Sequence, residues 1–259
     1  MRIVRFIVHG KIKYGVLVAN TVHGLRGSPF VNFKGSGTSF RLDGSNYEIT
    51  QVKLLSPCLP SKIVALGLNY RSHAEEVEMP IPSVPLIFLK PSTTVIGPDD
   101  VITLPRVKKR VDYEGELGVV IGRRAKDVIQ AEAKDYVLGY TCVNDVTERH
   151  IQKVDGQWTR AKGFDTFAPI GPWIETEVLP DDLKLETYLN GELRQSTRTT
   201  DLIFGIAELI EFISGVMTLL PGDIIATGTP SGIGSINPGD VVEVTIEKIG
   251  TLRNYVVSP

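Results

Sequence analysis

The chain has few cysteines, no long apolar run and almost no excess charge. Its 259 residues include two cysteines, Cys58 and Cys142, which excludes a disulfide-stapled scaffold and leaves both thiols reduced in the cytoplasmic protein that we expect. No apolar stretch approaches the roughly 18 residues needed to span a membrane, and the N-terminus lacks the apolar core of a signal peptide. The formal net charge of −2 argues against nucleic-acid binding through general basic charge.

The composition is typical of a globular protein that can bury a large hydrophobic core. Hydrophobic residues make up 42% of the chain and charged residues 22%, which argues against intrinsic disorder. Residues 1–56 contain short β-prone runs separated by glycines, a pattern that predicts a small β-rich N-terminal module. Pro57 and Pro60 mark a linker, so residues 57–259 are expected to form the main domain.

The main domain is predicted to be mainly β with few helices, an α+β fold class. One expected strand, at residues 115–121, alternates enough to have a polar edge, and another ends at Asn190-Gly191, the strongest short hairpin signal. Apolar residues at helical spacing predict an amphipathic helix over residues 201–219. The expected strands of this domain lie at residues 63–67, 86–89, 115–121, 137–143, 185–192, 224–227 and 241–246.

Closely spaced carboxylates form the first candidate site. Side chains alternate faces along a strand, so Glu114 and Glu116 project the same way and repel unless a cation or proton lies between them. Oxygen ligands favour a hard divalent ion such as Mg²⁺, Mn²⁺ or Ca²⁺, and a solvated strand edge is the alternative. Asp145 follows a predicted buried strand, from which it could point into a cleft or cap the next helix.

Three further segments carry side chains suited to acid–base or anion chemistry. His73 and Glu76 are three residues apart, so they share one helical face on which the carboxylate can orient the imidazole; a solvated helix surface is the alternative. Lys162 lies among aromatic and small residues and could face an anion, or could lie on the surface. The glycine-rich segment 228–234 lacks the ending of a P-loop, so nucleotide binding is not expected.

Six sequence blocks occur in a fixed order along the main domain. They are GLNY at 67–70 followed by His73 and Glu76, FLKPS at 88–92, EGELGVV at 114–120, GYT at 139–141 with NDVT at 144–147, QWTRAKGFD at 157–165, and GDIIATGTPSGIG at 222–234. Together these blocks closely resemble the fumarylacetoacetate hydrolase family over residues 60–257. Residues 1–56 are similar to the short extra module of bacterial members.

The resemblance implies a mixed β-sandwich roll that forms a homodimer with one Mg²⁺ or Mn²⁺ per subunit. Matched to the family motifs, His73 and Glu76 are the base dyad on a mobile lid at residues 71–82, and Lys162 is the cation beside the substrate oxygens. The implied metal ligands are Glu114, Glu116 and Asp145. The implied substrate-binding residues are Asn69, Tyr70, Lys90, Gln152 and Thr229.

Family members differ in reaction, so the resemblance implies a type of chemistry rather than one substrate. It implies an enzyme that acts on small 2-oxo acids through a metal-stabilised enolate, either as a C–C hydrolase of acylpyruvate-like or fumarylacetoacetate-like substrates or as an oxaloacetate-type decarboxylase. The alternative among enzymes is an isomerase or tautomerase of 2-hydroxy-dienedioates in aromatic catabolism. An inactive metal-binding structural dimer is the alternative of another class, and the complete set of matched residues argues against it.

Overall fold

The computed structural model describes residues 1–31, 33–35, 38–106 and 109–259, and β-strands dominate these ranges. This arrangement confirms the predicted mainly-β, α+β fold with few helices. Among the helices of the described ranges, none has both the length and the apolar character needed to cross a membrane.

The helices and strands follow one another closely along the described chain. The strands are β1 (Arg2–Val8), β2 (Lys11–Val18), β3 (Thr21–Leu25), β4 (Leu42–Glu48), β5 (Lys53–Leu55), β6 (Ile63–Gly67), β7 (Leu86–Lys90), β8 (Val95–Ile96), β9 (Val101–Thr103), β10 (Val111–Tyr113), β11 (Gly115–Ile121), β12 (Val137–Asn144), β13 (Thr147–Glu148), β14 (Ala168–Glu175), β15 (Lys184–Leu189), β16 (Glu192–Arg198), β17 (Ile224–Ala226), β18 (Gly234–Ser235), β19 (Val241–Ile246) and β20 (Gly250–Val257). The α-helices are α1 (Arg71–Glu76), α2 (Arg149–Asp155), α3 (Thr159–Lys162) and α4 (Ile206–Val216). Short 3₁₀ helices cover Ile49–Gln51, Ser92–Thr94, Gln130–Tyr136, Pro180–Asp182 and Thr199–Asp201.

The described strands form three sheets, two of which pack face to face. The largest has the order β4-β3-β2-β1-β14-β12-β11-β17-β6-β7, with β5 paired to β1 and β8 paired to β14. The second has the order β16-β15-β19-β20-β9, and the third, β13-β10-β18, is short. One hydrophobic core joins Leu117 and Val119 of the large sheet with Leu185 and Val244 of the second sheet and Leu209 of α4. The strands that carry the candidate carboxylates therefore lie in the middle of the protein.

Strand β11 is buried at every residue, so the prediction that it has a polar edge was wrong. It pairs antiparallel with β12 on one side and with β17 on the other. Its Leu117 and Val119 belong to one hydrophobic core, while Val120 belongs to the core on the opposite face. Because both edges and both faces of the strand are covered, Glu116 is a carboxylate inside the protein.

The N-terminal module extends the large sheet of the main domain. Strand β1 pairs antiparallel with β14, with Arg2 opposite Glu175 and Ile3 opposite Ile174. The N-terminal ammonium of Met1 lies 2.6 Å from Glu175 Oε1. The module is thus joined to the main domain by strand pairing and by an ion pair, and the boundary expected at residue 56 stays a prediction.

Helix α4 is shorter than the helix predicted over residues 201–219. It covers Ile206–Val216, and Gly205 precedes it in an extended conformation. The Ile203 N–H donates to Asn69 O at 2.9 Å, which ties the approach to the helix to the segment that follows β6. This tertiary hydrogen bond keeps the preceding residues out of the helix even though their apolar side chains have helical spacing.

Candidate active site

The ends of β11 and β12 bring the three predicted metal ligands together. Strand pairing sets Gly115 opposite Asn144, so Glu114 and Asp145 are neighbours just beyond the paired residues. The Asp145 N–H donates to Glu114 O at 2.8 Å, and Asn144 Oδ1 accepts from the Glu114 N–H at 3.0 Å. Glu116 lies two residues along the chain from Glu114, and its carboxylate reaches the same point.

The three carboxylates fit the requirements of a divalent metal ion. One ligand oxygen from each of Glu114, Glu116 and Asp145 lies within 4.8 Å of the others, and all three side chains are buried. Glu116 Oε2 accepts from the Gly228 N–H at 2.8 Å, but Oε1 has no hydrogen-bond partner among the described residues. A hard cation would satisfy an unpartnered buried oxygen of this kind.

Two lysines and an arginine surround the same carboxylates. Lys162 Nζ lies 2.7 Å from both Glu114 Oε2 and Asp145 Oδ2, and Lys90 forms an ion pair with Asp145 Oδ1. Arg149 Nη2 lies 2.5 Å from Glu114 Oε1. Burial acts to raise the pKa of Glu114, but the charges of Lys162 and Arg149 outweigh burial and lower the pKa to about 2. Lys162 is therefore a buried cation that faces anions, and the surface position weighed as its alternative was wrong.

Glu116 differs from the other two carboxylates in its electrostatic surroundings. Burial raises its pKa well above the ordinary value, and the negative charges of Asp145 and Glu114 raise it further. Within the described part of the chain, Glu116 forms no ion pair. A divalent ion would supply the positive charge that this carboxylate lacks.

The predicted base dyad forms on helix α1. His73 Nδ1 lies 2.9 Å from Glu76 Oε2, while Glu76 Oε1 accepts from the Gly232 N–H at 2.8 Å. A carboxylate at Nδ1 favours the tautomer that is protonated there, which leaves Nε2 free to accept a proton. His73 is buried, whereas Glu76 is partly exposed and links α1 to the glycine-rich loop that follows β17.

The segment predicted to be a lid is anchored at its start and exposed after α1. The Ser72 hydroxyl donates to Asp201 Oδ2 at 2.9 Å, which holds the first turn of the helix. Val77 and Met79 line the cavity described below although 36% and 51% of their surfaces are exposed. The mobility expected of residues 71–82 stays a prediction.

A cavity of about 420 Å³ opens above the carboxylates. Leu66, Trp158 and Ile233 contribute apolar surface to its wall. Five predicted site residues also line it, namely His73, Glu114, Gln152, Lys162 and Thr229. Further cationic side chains in the wall are Arg110, Arg149 and Lys153. This mixture suits a small anionic ligand with an apolar part.

Two of the five predicted substrate-binding residues line this cavity. Gln152 Oε1 accepts from Arg149 Nη1 at 3.0 Å, and Thr229 Oγ1 donates to Gly115 O at 3.0 Å. Tyr70 is fully buried behind the wall, and its hydroxyl has no partner among the described residues. Substrate contact by Gln152, Thr229 and Tyr70 stays a prediction.

Lys90 and Asn69, also predicted to bind substrate, are buried and engaged by other parts of the chain. Besides its ion pair with Asp145, Lys90 Nζ donates to Phe167 O at 2.8 Å and to Val146 O at 3.2 Å. Asn69 Nδ2 donates to Thr227 O at 2.8 Å. The structure therefore gives Lys90 the role of holding Asp145 and Asn69 that of holding the backbone beside the glycine-rich loop, so direct substrate contact by either residue stays a prediction.

Asp112 and Arg149 are site residues that the sequence reasoning missed. Asp112 is completely buried and accepts hydrogen bonds from Arg110 Nε and Arg149 Nε, both at 2.8 Å. It thereby orients the guanidinium that pairs with Glu114. The alternation of acidic residues at 112, 114 and 116 was the signal that could have identified Asp112.

Asp145 does not cap helix α2, which was the alternative role considered for it; Glu148 caps this helix. Glu148 is the N-cap of α2, and its Oε2 accepts from the Ile151 N–H at 2.5 Å. Its Oε1 accepts from the Lys109 N–H at 2.9 Å, so both oxygens hold backbone. The Asp145 carboxylate is instead directed at Lys90 and Lys162.

Comparison with known proteins relates both parts of the chain to described families. The family model "Fumarylacetoacetate (FAA) hydrolase C-terminal" matches residues 62–257, and the model "Rv2993c-like, N-terminal" matches residues 1–57. The 2,4-didehydro-3-deoxy-L-rhamnonate hydrolase of Sphingomonas sp. (strain SKA58) is 46% identical over 207 residues, which cover 75% of this chain and 73% of that protein.

Solved structures of further relatives share the whole fold. The 5-carboxymethyl-2-hydroxymuconate delta-isomerase from Mycobacterium smegmatis is 44% identical, with a TM-score of 0.93 and coverage of 100% of both chains. Maleylpyruvate hydrolase from Sphingobium sp. SYK-6, in complex with manganese(II) and pyruvate, is 30% identical, with a TM-score of 0.80 and coverage of 100% of this chain and 99% of that one. These relatives include hydrolases and an isomerase.

The match over residues 62–257 contains all six sequence blocks and all three buried carboxylates. It confirms the resemblance on which the site residues were matched. The homodimer and the individual residue roles stay predictions. On its sequence, its fold and the extent of this match, the chain belongs to the fumarylacetoacetate hydrolase family.

Proposed function

We propose that this protein is a divalent-metal-dependent enzyme that acts on small 2-oxo acids as a C–C hydrolase or decarboxylase. The observation that carries the proposal is the group of three buried carboxylates beside a cavity lined by His73 and Lys162. Mg²⁺ or Mn²⁺ is the proposed ion because all three ligands offer oxygen and because a relative binds manganese(II) with pyruvate.

Lys162 lies beside the carboxylates that would hold the ion, so both would face the same end of the substrate. Held by Glu114, Glu116 and Asp145, the ion would supply a Lewis acid at the 2-oxo group of a pyruvyl unit. The Lys162 ammonium, fixed between carboxylates and 4.9 Å from the centre of the Phe88 ring, stabilises negative charge that develops on the substrate oxygens. Because the site is buried, water screens this charge weakly.

His73 is the proposed base for hydrolysis. Glu76 holds Nδ1, so Nε2 accepts a proton from a water molecule in the cavity. The hydroxide adds to the acyl carbonyl, the C–C bond breaks, and its electron pair stays on the three-carbon fragment. The protonated His73 returns its proton to that fragment, which leaves as pyruvate, and the acyl group leaves as a carboxylic acid. Decarboxylation of oxaloacetate needs no activated water and so depends less on His73.

The charge of the cavity supports an acid as the substrate. Arg110, Arg149 and Lys162 are already paired with carboxylates, but Lys153 adds a further positive charge to the same wall. A carboxylate that enters the cavity therefore meets more cationic than anionic side chains. The volume of about 420 Å³ suits a small acid and leaves room for a short acyl tail.

Isomerisation of a 2-hydroxy-dienedioate is the second candidate function. The likeness to a 5-carboxymethyl-2-hydroxymuconate delta-isomerase over both whole chains favours it. In this reaction His73 would remove a proton and return it to another carbon of the same substrate, without attack by water.

A substrate panel separates these reactions. The metal-free protein, supplied with Mg²⁺ or Mn²⁺, is tested with acylpyruvates, oxaloacetate and 2-hydroxy-dienedioates, with pyruvate release and ultraviolet absorbance recorded in parallel. Metal-dependent release of pyruvate supports the proposal. An absorbance change without pyruvate favours the isomerase, and equal turnover with and without added metal contradicts both.

A further inference from the structure

Gln195 is a completely buried amide that contacts the backbone between two predicted metal ligands. It lies on β16, and its Oε1 accepts from the Gly115 N–H at 3.0 Å. Its Nε2 donates to Thr229 Oγ1 at 2.8 Å and to Pro230 O at 2.9 Å. Gly115 separates Glu114 from Glu116, so one side chain joins the carboxylate group to the loop of Thr229.

The directions of these hydrogen bonds follow from the groups involved. A backbone N–H can only donate, so the Gly115 N–H requires the oxygen of the Gln195 amide on its side. The amide nitrogen must then face Thr229 and donate to its hydroxyl oxygen. The single Thr229 hydroxyl proton is left to donate to Gly115 O at 3.0 Å. Thr229 can therefore offer the cavity only a lone pair while this arrangement persists.

We propose that Gln195 is a positioning residue that sets the backbone between Glu114 and Glu116 and fixes the direction of the Thr229 hydroxyl. The inference rests on the proposed function, since it assigns the carboxylates to a metal ion and Thr229 to substrate. Both the N–H and the C=O of Gly115 are held within this network, by Gln195 and Thr229 respectively. A shift of that peptide would change the distance between the two glutamates.

The strand next to Gln195 offers a matched control. Thr187 lies opposite Gln195 on β15, is equally buried, and its hydroxyl has no hydrogen-bond partner among the described residues. Thr187→Val keeps the shape of the side chain that packs against Gly115 and removes no hydrogen bond of the Gln195 network. It is therefore expected to leave metal and ligand binding within about twofold of the wild-type values.

Two substitutions at Gln195 separate its two contacts. Gln195→Met removes both, and we expect Mn²⁺ to bind about tenfold more weakly, the lower end of the effect of residues that orient metal ligands. Gln195→Glu keeps an acceptor for the Gly115 N–H. It also replaces the Gln195 Nε2 donor, which lies 2.9 Å from Pro230 O, with a second acceptor. It should bind Mn²⁺ at least as tightly as the wild type. It should bind pyruvate about five- to tenfold more weakly, because repulsion between the two acceptor oxygens displaces the loop that places Thr229 in the cavity wall.

The experiment is a calorimetric titration of each metal-free variant with Mn²⁺, followed by titration of the Mn²⁺-loaded protein with pyruvate, well below the unfolding temperature. The expected pattern is weaker Mn²⁺ binding by Gln195→Met alone and weaker pyruvate binding by Gln195→Glu without loss of Mn²⁺ affinity. If Gln195→Met does not fold, Gln195→Glu alone tests the inference, through weaker pyruvate binding at unchanged or higher Mn²⁺ affinity.

Two results would overturn the inference, and a third would contradict the proposed function instead. Unchanged Mn²⁺ affinity in a less stable Gln195→Met would mean that Gln195 has only a structural role. Losses in Thr187→Val equal to those in Gln195→Met would assign the effect to packing. A wild-type protein that binds no Mn²⁺ would contradict the proposed function itself, whereas normal wild-type binding with normal Gln195→Met binding contradicts this inference alone.

Discussion

Gly115, between the two glutamates, cannot be replaced even by alanine without a steric conflict. A Cβ atom added to Gly115 would lie 2.0 Å from Thr187 Oγ1, far inside the 3.4–4 Å range of ordinary van der Waals contact. Neither backbone can easily give way, because Gly115 is paired with β12 and Thr187 is paired on both sides within the second sheet. We therefore predict that Gly115→Ala strongly destabilises the protein.

The expected loss lies at the upper end of the range for overpacked cores, about 3 kcal/mol in the free energy of unfolding. For a chain of this size, that loss corresponds to a fall of roughly 6–12 °C in the unfolding temperature. Gly215→Ala is the matched control, because a Cβ atom there meets nothing within 4 Å and Gly215 lies in α4. Because alanine has a higher helix propensity than glycine, Gly215→Ala should raise the free energy of unfolding by about 0.5–1 kcal/mol.

Second-site variants at Thr187 test the cause directly. Thr187→Ala removes the clashing oxygen, after which the nearest atoms to the new Cβ are Gln195 Oε1 at 3.1 Å and Thr187 Cβ at 3.4 Å. Thr187→Ala should therefore recover most of the stability lost in Gly115→Ala, whereas Thr187→Val, which keeps an atom at the same position, should not. Chemical denaturation followed by circular dichroism measures the free energy of unfolding of the single and double variants. Equal rescue by both variants, or a Gly115→Ala loss below about 0.5 kcal/mol, would refute the steric argument.

Other consequences of the structure can be tested separately. His73→Ala should reduce acylpyruvate hydrolysis by about 10²-fold or more and oxaloacetate decarboxylation by less, because only hydrolysis needs an activated water; equal losses would contradict water activation. Burial raises the pKa of both Cys58 and Cys142 to about 12, so neither thiol should react with a disulfide reagent at pH 8 until the protein unfolds, and rapid labelling of the native protein would count against this. The backbone amides of Val77, Glu78, Met79 and Ile81 belong to exposed residues, and within the described ranges the first three are held only by hydrogen bonds to the short helix α1; they should exchange hydrogen quickly in the ligand-free protein and slowly once pyruvate and Mn²⁺ are bound, and strong protection without ligand would argue against a lid.

The sequence predicts the strands of the main domain well because their signals are local. The hairpin at Asn190-Gly191 and the apolar run at Ile63–Gly67 both form as expected. The start of α4 was not predictable in the same way, since a hydrogen bond from Ile203 to Asn69 crosses more than a hundred residues of chain. The burial of β11 likewise depends on neighbours on both edges that no window of sequence contains.

The same distinction applies to the candidate site. From the residues alone, Glu114 and Glu116 were candidates for a cation site or a solvated strand edge, and Asp145, His73 and Lys162 were candidates with structural alternatives. The family motifs added their roles. The residues that hold these groups carry no comparable signal. Gln195, for example, reads as an ordinary polar position of an edge hairpin, and its role emerges only when β16 lies beside the Gly115 peptide.

Titration of Mn²⁺ into the metal-free wild-type protein and Glu116→Gln is the most direct test of the metal site. Glu116→Gln retains a side-chain oxygen for the Gly228 N–H but removes the negative charge and one potential ligand oxygen. Glu132→Gln, at an exposed position, is the matched control. We expect one Mn²⁺ per chain in the wild type and the control. Glu116→Gln should bind Mn²⁺ at least about 100-fold more weakly, a loss beyond the effect of residues that only orient ligands. Wild-type affinity in Glu116→Gln, or no Mn²⁺ bound by the wild type, would contradict the proposed metal site.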